Sequence, residues 1–176
     1  MRDVIEVLKH IKKDEVTSRI VTNAYWGKSE KLARSVLQRL KDASLYEFNF
    51  SVDDFHQEHI PYETIKVATE LAIEYGFPVL LAHKTYPGSK SSLETFEKLL
   101  GRKIPIFEDL SPAEKDEHKL CFSTGATIPV GRGAESIDSM SGCLAIKQSI
   151  NGKAHVKRYC VTSQFNQMEM CPLAVV

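Results

Sequence analysis

The segment Phe48-Asn-Phe-Ser-Val-Asp-Asp-Phe-His-Gln-Glu-His-Ile-Pro61 constrains the fold of this chain more than any other. A short apolar run stops abruptly in a knot of carboxylates and imidazoles, and a proline then opens the next periodic stretch. Residues 45–52 read as a strand. Pro61 suits the first turn of a helix whose buried stripe is Ile65, Ala68, Leu71, Ala72 and Tyr75, with Gly76 as its C-cap. A buried strand that releases Ser51, Asp53, Asp54, His56, Glu58 and His59 at its carboxyl end is built as barrels and wound sheets build ligand sites.

The same unit recurs along the chain. Val4, Ile5, Val7, Leu8 and Ile11 recur at helical spacing, and residues 18–23 form a short β-branched run that reads as a strand. Leu32, Ala33, Val36, Leu37 and Leu40 mark one face of a second helix over 29–41. Residues 78–84 are apolar on both faces until His83, as in parallel strands covered by helices. Ser91 and Glu94 are spaced as a capping box for a helix over 91–100, and Ser111-Pro-Ala-Glu114 repeats the signal for a shorter one. A fourth strand is expected at 127–130, ending in Gly131-Arg-Gly133. Runs at 144–150 and 153–160 flank Asn151-Gly152, a strong hairpin signal. Alternating strands and helices with short connections predict an α/β fold with a mostly parallel sheet and right-handed crossovers, plus a terminal hairpin. The expected division is a β/α part over 1–135 and a hairpin with tail over 136–176.

Composition excludes several classes. The chain has 176 residues, 43% of them hydrophobic, and 23 basic residues balance 23 acidic ones. No basic face of the kind that carries nucleic-acid or membrane-surface binding stands out. No apolar run approaches the roughly 18 residues of a membrane span, and no signal-peptide core opens the chain, so a cytoplasmic location is expected. The four cysteines, Cys121, Cys143, Cys160 and Cys171, are 11 to 22 positions apart, outside the close spacing of zinc or thioredoxin-type sites. Free thiols are the reading this favours.

Each polar group admits more than one role. Asp53, Asp54, His56, Glu58 and His59 suit helix capping, contacts to a ligand, or a zinc- or iron-dependent hydrolase, since imidazole and carboxylate donors hold such metals. His83 and Lys84 end a strand where an anion would sit. Gly131-Arg-Gly133 is a loop turn or an anion cradle. Tyr25 and Trp26 are read as packing or as a stacking platform.

Taken together, Ile20-Val-Thr-Asn-Ala-Tyr-Trp26, Phe50-Ser-Val-Asp-Asp-Phe-His56 with Pro61, and Pro129-Val-Gly-Arg132 resemble the middle and end of a radical S-adenosylmethionine enzyme domain. The first is similar to that family's strand ending in Thr-Asn-Gly, the second to its strand ending in Ser-x-Asp. The resemblance implies a partial, incomplete parallel β/α barrel with a C-terminal β-hairpin extension. It implies S-adenosylmethionine at the carboxyl ends of the strands, with Asn23, Ser51, Asp53, His56, Gly131 and Arg132 as contacts to cofactor or substrate. It also implies a four-iron four-sulfur cluster, although the family's Cys-x-x-x-Cys-x-x-Cys motif is absent: the first cysteine is Cys121. By the same resemblance, Cys143, Cys160 and Cys171 are candidate ligands of an auxiliary cluster on the hairpin. The chain is therefore expected to be a fragment of such an enzyme, inactive alone, that self-associates or takes its missing strands from a partner chain. The alternatives are a non-catalytic binding module and the metal-dependent hydrolase.

Overall fold

The computed structural model describes residues 2–12, 16–86, 88–126, 143–150 and 153–160. These fall into two units, the first ending before Ile128 and the second following it.

In the first unit, helix α1 (Arg2–Ile11) precedes strand β1 (Arg19–Thr22), a 3₁₀ turn (Tyr25–Lys28) and helix α2 (Glu30–Asp42). Strand β2 (Glu47–Ser51) leads through the single turn α3 (Asp54–Gln57) into α4 (Tyr62–Glu74). Strand β3 (Val79–Thr85), helix α5 (Leu93–Leu100), a second 3₁₀ turn (Phe107–Asp109), α6 (Pro112–Glu117) and strand β4 (Leu120–Ala126) complete it. The four strands form one parallel, open sheet in the order β1-β2-β3-β4. Each strand adds beside its predecessor, and the order never reverses.

Strand alternation decides which face is covered. Phe48 and Phe50 on β2 and Leu81 on β3 are fully buried, in one core with Ala33, Leu37 and Leu40 of α2, Ile65, Ala68 and Ala72 of α4 and Phe96 of α5. Side chains one residue out of step occupy the opposite face. There, register aligns Val21, Asn49, Leu80 and Cys121 in one row and Ser51, Ala82 and Ser123 in the next. Val21 is 65% exposed in the first row, whereas Cys121 at its other end is buried. Trp26 lies against Phe48 and Phe50, with ring centroids 5.8 Å away in both cases, so this aromatic serves packing.

Local signals explain most element ends. The Ser29 hydroxyl accepts from the Leu32 N–H to start α2, and Ser111 with Glu114 forms the expected capping box with Pro112 in the first turn. Two expectations are corrected. Pro61 sits at the N-cap position of α4, one residue before its first turn. The cap of α5 is Ser92, which accepts from Thr95; Ser91 is drawn away by Asp54. Sequence reading also missed β4 at Leu120–Ala126, because Gly125 weakens the β signal at its carboxyl end. The strand expected at 127–130 lies outside the described residues.

The second unit contains strands β5 (Cys143–Ile150) and β6 (Lys153–Cys160), paired antiparallel with Ile150 opposite Lys153 and Cys143 opposite Cys160. Among the described residues, no helix is long and apolar enough to cross a membrane.

Candidate functional site

The carboxyl end of β2 gathers the polar groups, as its sequence led one to expect, but most of them are already engaged with one another. Asp53 caps α3: its Oδ1 accepts from the His56 N–H and lies 2.8 Å from His56 Nδ1. Burial pushes the Asp53 carboxyl up, but the hydrogen bonds and positive charge of His56 outweigh this and hold it below its ordinary range. The same bond raises the His56 imidazole, against the opposing effect of burial.

Asp54 makes the longer connection. Its Oδ2 accepts from the Lys90 N–H at 2.7 Å, and its Oδ1 accepts from the Ser91 N–H at 2.8 Å and from the Ser91 hydroxyl. Partial burial opposes ionisation, yet these three donors keep the carboxyl well below the usual carboxylate range. Ser91 Oγ in turn stands 3.3 Å from His83 Nε2. Because the Ser91 proton goes to Asp54, the consistent tautomer of His83 donates through Nε2. His83 is buried and stacked on Phe122 at 5.7 Å, and its burial lowers the imidazole, which keeps it neutral near pH 7. The result is a buried chain from Asp54 through Ser91 to His83 that ties α3 to the segment before α5.

Ser51 and His83 therefore do not share a hollow. Ser51 is the register partner of Ala82, so it lies on the opposite face of the sheet from His83. Asn23 is exposed, and its Oδ1 accepts from the Tyr25 N–H at 3.2 Å as an Asx-type turn. Glu58 and His59 are exposed at the end of α3. Among the described residues, no group of three His, Cys, Asp or Glu side chains could hold a metal ion. Gly131, Arg132 and Cys171 lie outside the described residues. Tyr25 carries the Lys28 ammonium 4.2 Å above its ring, so its exposed face is partly taken.

The sheet face turned away from the helices offers something different. Asn49 sits between Phe48 and Phe50 and so turns to that face; its Oδ1 is buried without a hydrogen-bond partner. Ser51 follows two residues later on the same side. Lys84 lies level with Gly125 of β4, and its Nζ would be 3.1 Å from a Cβ placed there. Ser123 donates to Glu108. An unpaired amide oxygen, a hydroxyl and an ammonium thus lie on one face near the strand ends. Asn49 was missed in the sequence reading, although a lone polar residue between two strand aromatics signals such a placement.

A shallow groove of about 560 Å³ opens at the other, amino-terminal end of the strands, where Lys41, Lys115 and Lys119 stand around Tyr46, Tyr75 and Phe107. Two of these lysines are committed: Lys41 donates to the Tyr75 carbonyl at 2.9 Å, and Lys115 lies over the Phe107 ring. Among the described residues, buried polar atoms without a partner occur at both places, Ser18 Oγ beside the groove residues Tyr46 and Glu47 and Asn49 Oδ1 on the sheet face, and also at Gln57 and Thr69. No protein-family model matches the chain, and no curated protein matches it.

Proposed function

We propose that the first unit is part of a β/α barrel of radical S-adenosylmethionine type, and that the sheet face turned away from its helices binds the adenosyl cofactor or its co-substrate. The observation that carries this reading is the strand order. A parallel sheet that grows only in sequence order, with its helices on one face, is the pattern of a barrel wall, whereas doubly wound sheets reverse their order and carry helices on both faces. In a barrel wall the face away from the helices is the interior, where Asn49, Ser51 and Lys84 would meet a ligand at the carboxyl ends of the strands.

A second observation supports the resemblance. Ala24 occupies the place of glycine in the Thr-Asn-Gly motif, and its φ of 55° and ψ of 23° lie in the left-handed region that glycine adopts at no steric cost. The turn is thus made without the residue that makes it easy.

The iron–sulfur cluster does not fit the residues of this chain. Its main site needs three closely spaced thiolates, and the earliest cysteine is Cys121, which is buried, its thiol pushed up by burial and by the nearby Glu108 carboxylate. In a complete enzyme the cluster would come from another segment or chain. Asp53 and His56, already paired, would shape the strand end more than touch the ligand. For Cys143, Cys160 and Cys171, two register partners and a third thiol outside the described residues do not by themselves make an auxiliary site. The lack of early thiolates is also what favours the second reading, a non-catalytic binding module on the same face.

The test is titration of the full chain with S-adenosylhomocysteine, read by calorimetry. Binding that weakens at least tenfold in Asn49→Ala and Ser51→Ala, but not in Lys119→Ala at the far groove, is expected. No binding at millimolar ligand, or binding abolished only by Lys119→Ala, sinks the proposal. Reconstitution with iron and sulfide then separates the readings. A complementing cluster-bearing segment, with dithionite as one-electron reductant, restores cleavage of S-adenosylmethionine for the enzyme, and leaves only binding for the module.

A further inference from the structure

The second unit pairs two of the four cysteines directly across an antiparallel ladder. The strands Cys143–Ile150 and Lys153–Cys160 run in register with Ile150 opposite Lys153, leaving two residues between them. A two-residue connection closes on a hydrogen-bonded pair, and hydrogen-bonded and non-hydrogen-bonded pairs alternate along the ladder. Counting outward from Ile150 and Lys153, the Cys143–Cys160 pair falls an odd number of steps away. It is therefore a non-hydrogen-bonded pair.

That parity matters for sulfur chemistry. Opposed residues at such positions have Cα atoms about 4.5 Å apart, inside the window of about 4.4–6.8 Å that disulfides occupy. Had the register slipped by one residue, the two cysteines would not oppose each other at all. We propose that Cys143 and Cys160 form a reversible intramolecular disulfide that pins the open end of this ladder. A thiolate of one cysteine attacks a low-molecular-weight disulfide such as oxidised glutathione, releasing one glutathione thiolate and leaving a mixed disulfide. The other cysteine thiolate then attacks the protein sulfur of that mixed disulfide and releases the second glutathione. Two protein thiols lose two electrons and two protons, and one small disulfide becomes two thiols. A two-stranded ladder is marginal on its own, so a link at its open end makes the ordering of this unit depend on redox state.

The choice of partner separates register from chain proximity. In an unfolded chain, Cys160 meets Cys171, 11 positions away, more readily than Cys143, 17 positions away. The experiment equilibrates the full native chain with oxidised and reduced glutathione, blocks free thiols with N-ethylmaleimide, and maps the products by mass spectrometry. Expected are loss of two alkylation sites, a peptide linking Cys143 to Cys160, and an unchanged pattern in Cys121→Ser. Cys143→Ser and Cys160→Ser should each keep a glutathione adduct on the remaining cysteine. In guanidinium the Cys143–Cys160 product should fall at least threefold relative to Cys160–Cys171. The proposal fails if the native product links Cys160 to Cys171, if the links are between chains, or if the partition is the same folded and unfolded. It fails equally if all four thiols stay reactive, or if they are protected only by bound iron or zinc.

Discussion

Removing the Asp54 carboxylate should unfasten α3 from the segment that leads into α5, and the cost can be worked from its partners. In Asp54→Ala, the Ser91 N–H and hydroxyl lose their acceptor while Ser91 stays only 3% exposed. A buried donor without a partner costs about 1–3 kcal/mol. The Lys90 N–H is better hydrated and adds about 0.5 kcal/mol. The Ser91 hydroxyl can turn to His83 if that ring changes tautomer, which offsets part of the loss. The sum is about 3 kcal/mol, and about 1–2 kcal/mol for Asp54→Asn, which keeps one oxygen for Ser91. Urea unfolding followed by far-ultraviolet circular dichroism measures it. A loss below about 1 kcal/mol for Asp54→Ala, with an unchanged denaturant slope, would mean that these donors find other acceptors and the link carries little. The pH dependence gives an independent check. The folded carboxyl titrates below its unfolded value of about 3.9, so the unfolded state binds more protons in the acid range. The advantage of wild type over Asp54→Asn should be complete above about pH 4 and shrink as pH falls. An advantage that grows on acidification would have the wrong sign.

Other substitutions probe the frame around this link. A Cβ on Gly27 would strike the Thr64 carbonyl and lie 2.8 Å from Ala68 Cβ, both in α4. Gly27→Ala should therefore cost about 2 kcal/mol, and a neutral thermal unfolding result would show that the turn can yield. Ala24→Gly exchanges about 1–2 kcal/mol of left-handed strain for about 0.8 kcal/mol of lost methyl burial and a more flexible unfolded chain. Its stability should stay within about 1 kcal/mol of wild type, while Ala33→Gly, buried inside α2, loses about 2 kcal/mol; equal losses in chemical denaturation would contradict the strain argument. Strand β1 ends the sheet and exposes Val21, so the chain should self-associate through this edge. Sedimentation velocity should show a concentration-dependent shift that Val21→Lys abolishes; a wild-type monomer at every concentration tested would remove the edge from consideration.

Sequence alone determined the alternation of strands and helices and most of their boundaries. Amphipathic periods, Ser29 and Ser111 as caps, and the doubly apolar run before His83 are local signals, and local signals survive without tertiary context. It also located the polar knot after β2. What that knot does emerges only on folding, because its partners are distant in the chain. Ser91 has the spacing of a cap, yet a carboxylate 37 residues earlier competes for it and wins with a charged acceptor. Likewise, His83 and Ser51 both end strands, but whether they converge depends on sheet register and strand pleat. A one-residue difference in alternation puts His83 beneath the helices and leaves Ser51 with Asn49 on the opposite face. The strand order had the same origin: every strand could be read in isolation, while the order in which they lie side by side exists only once they pair.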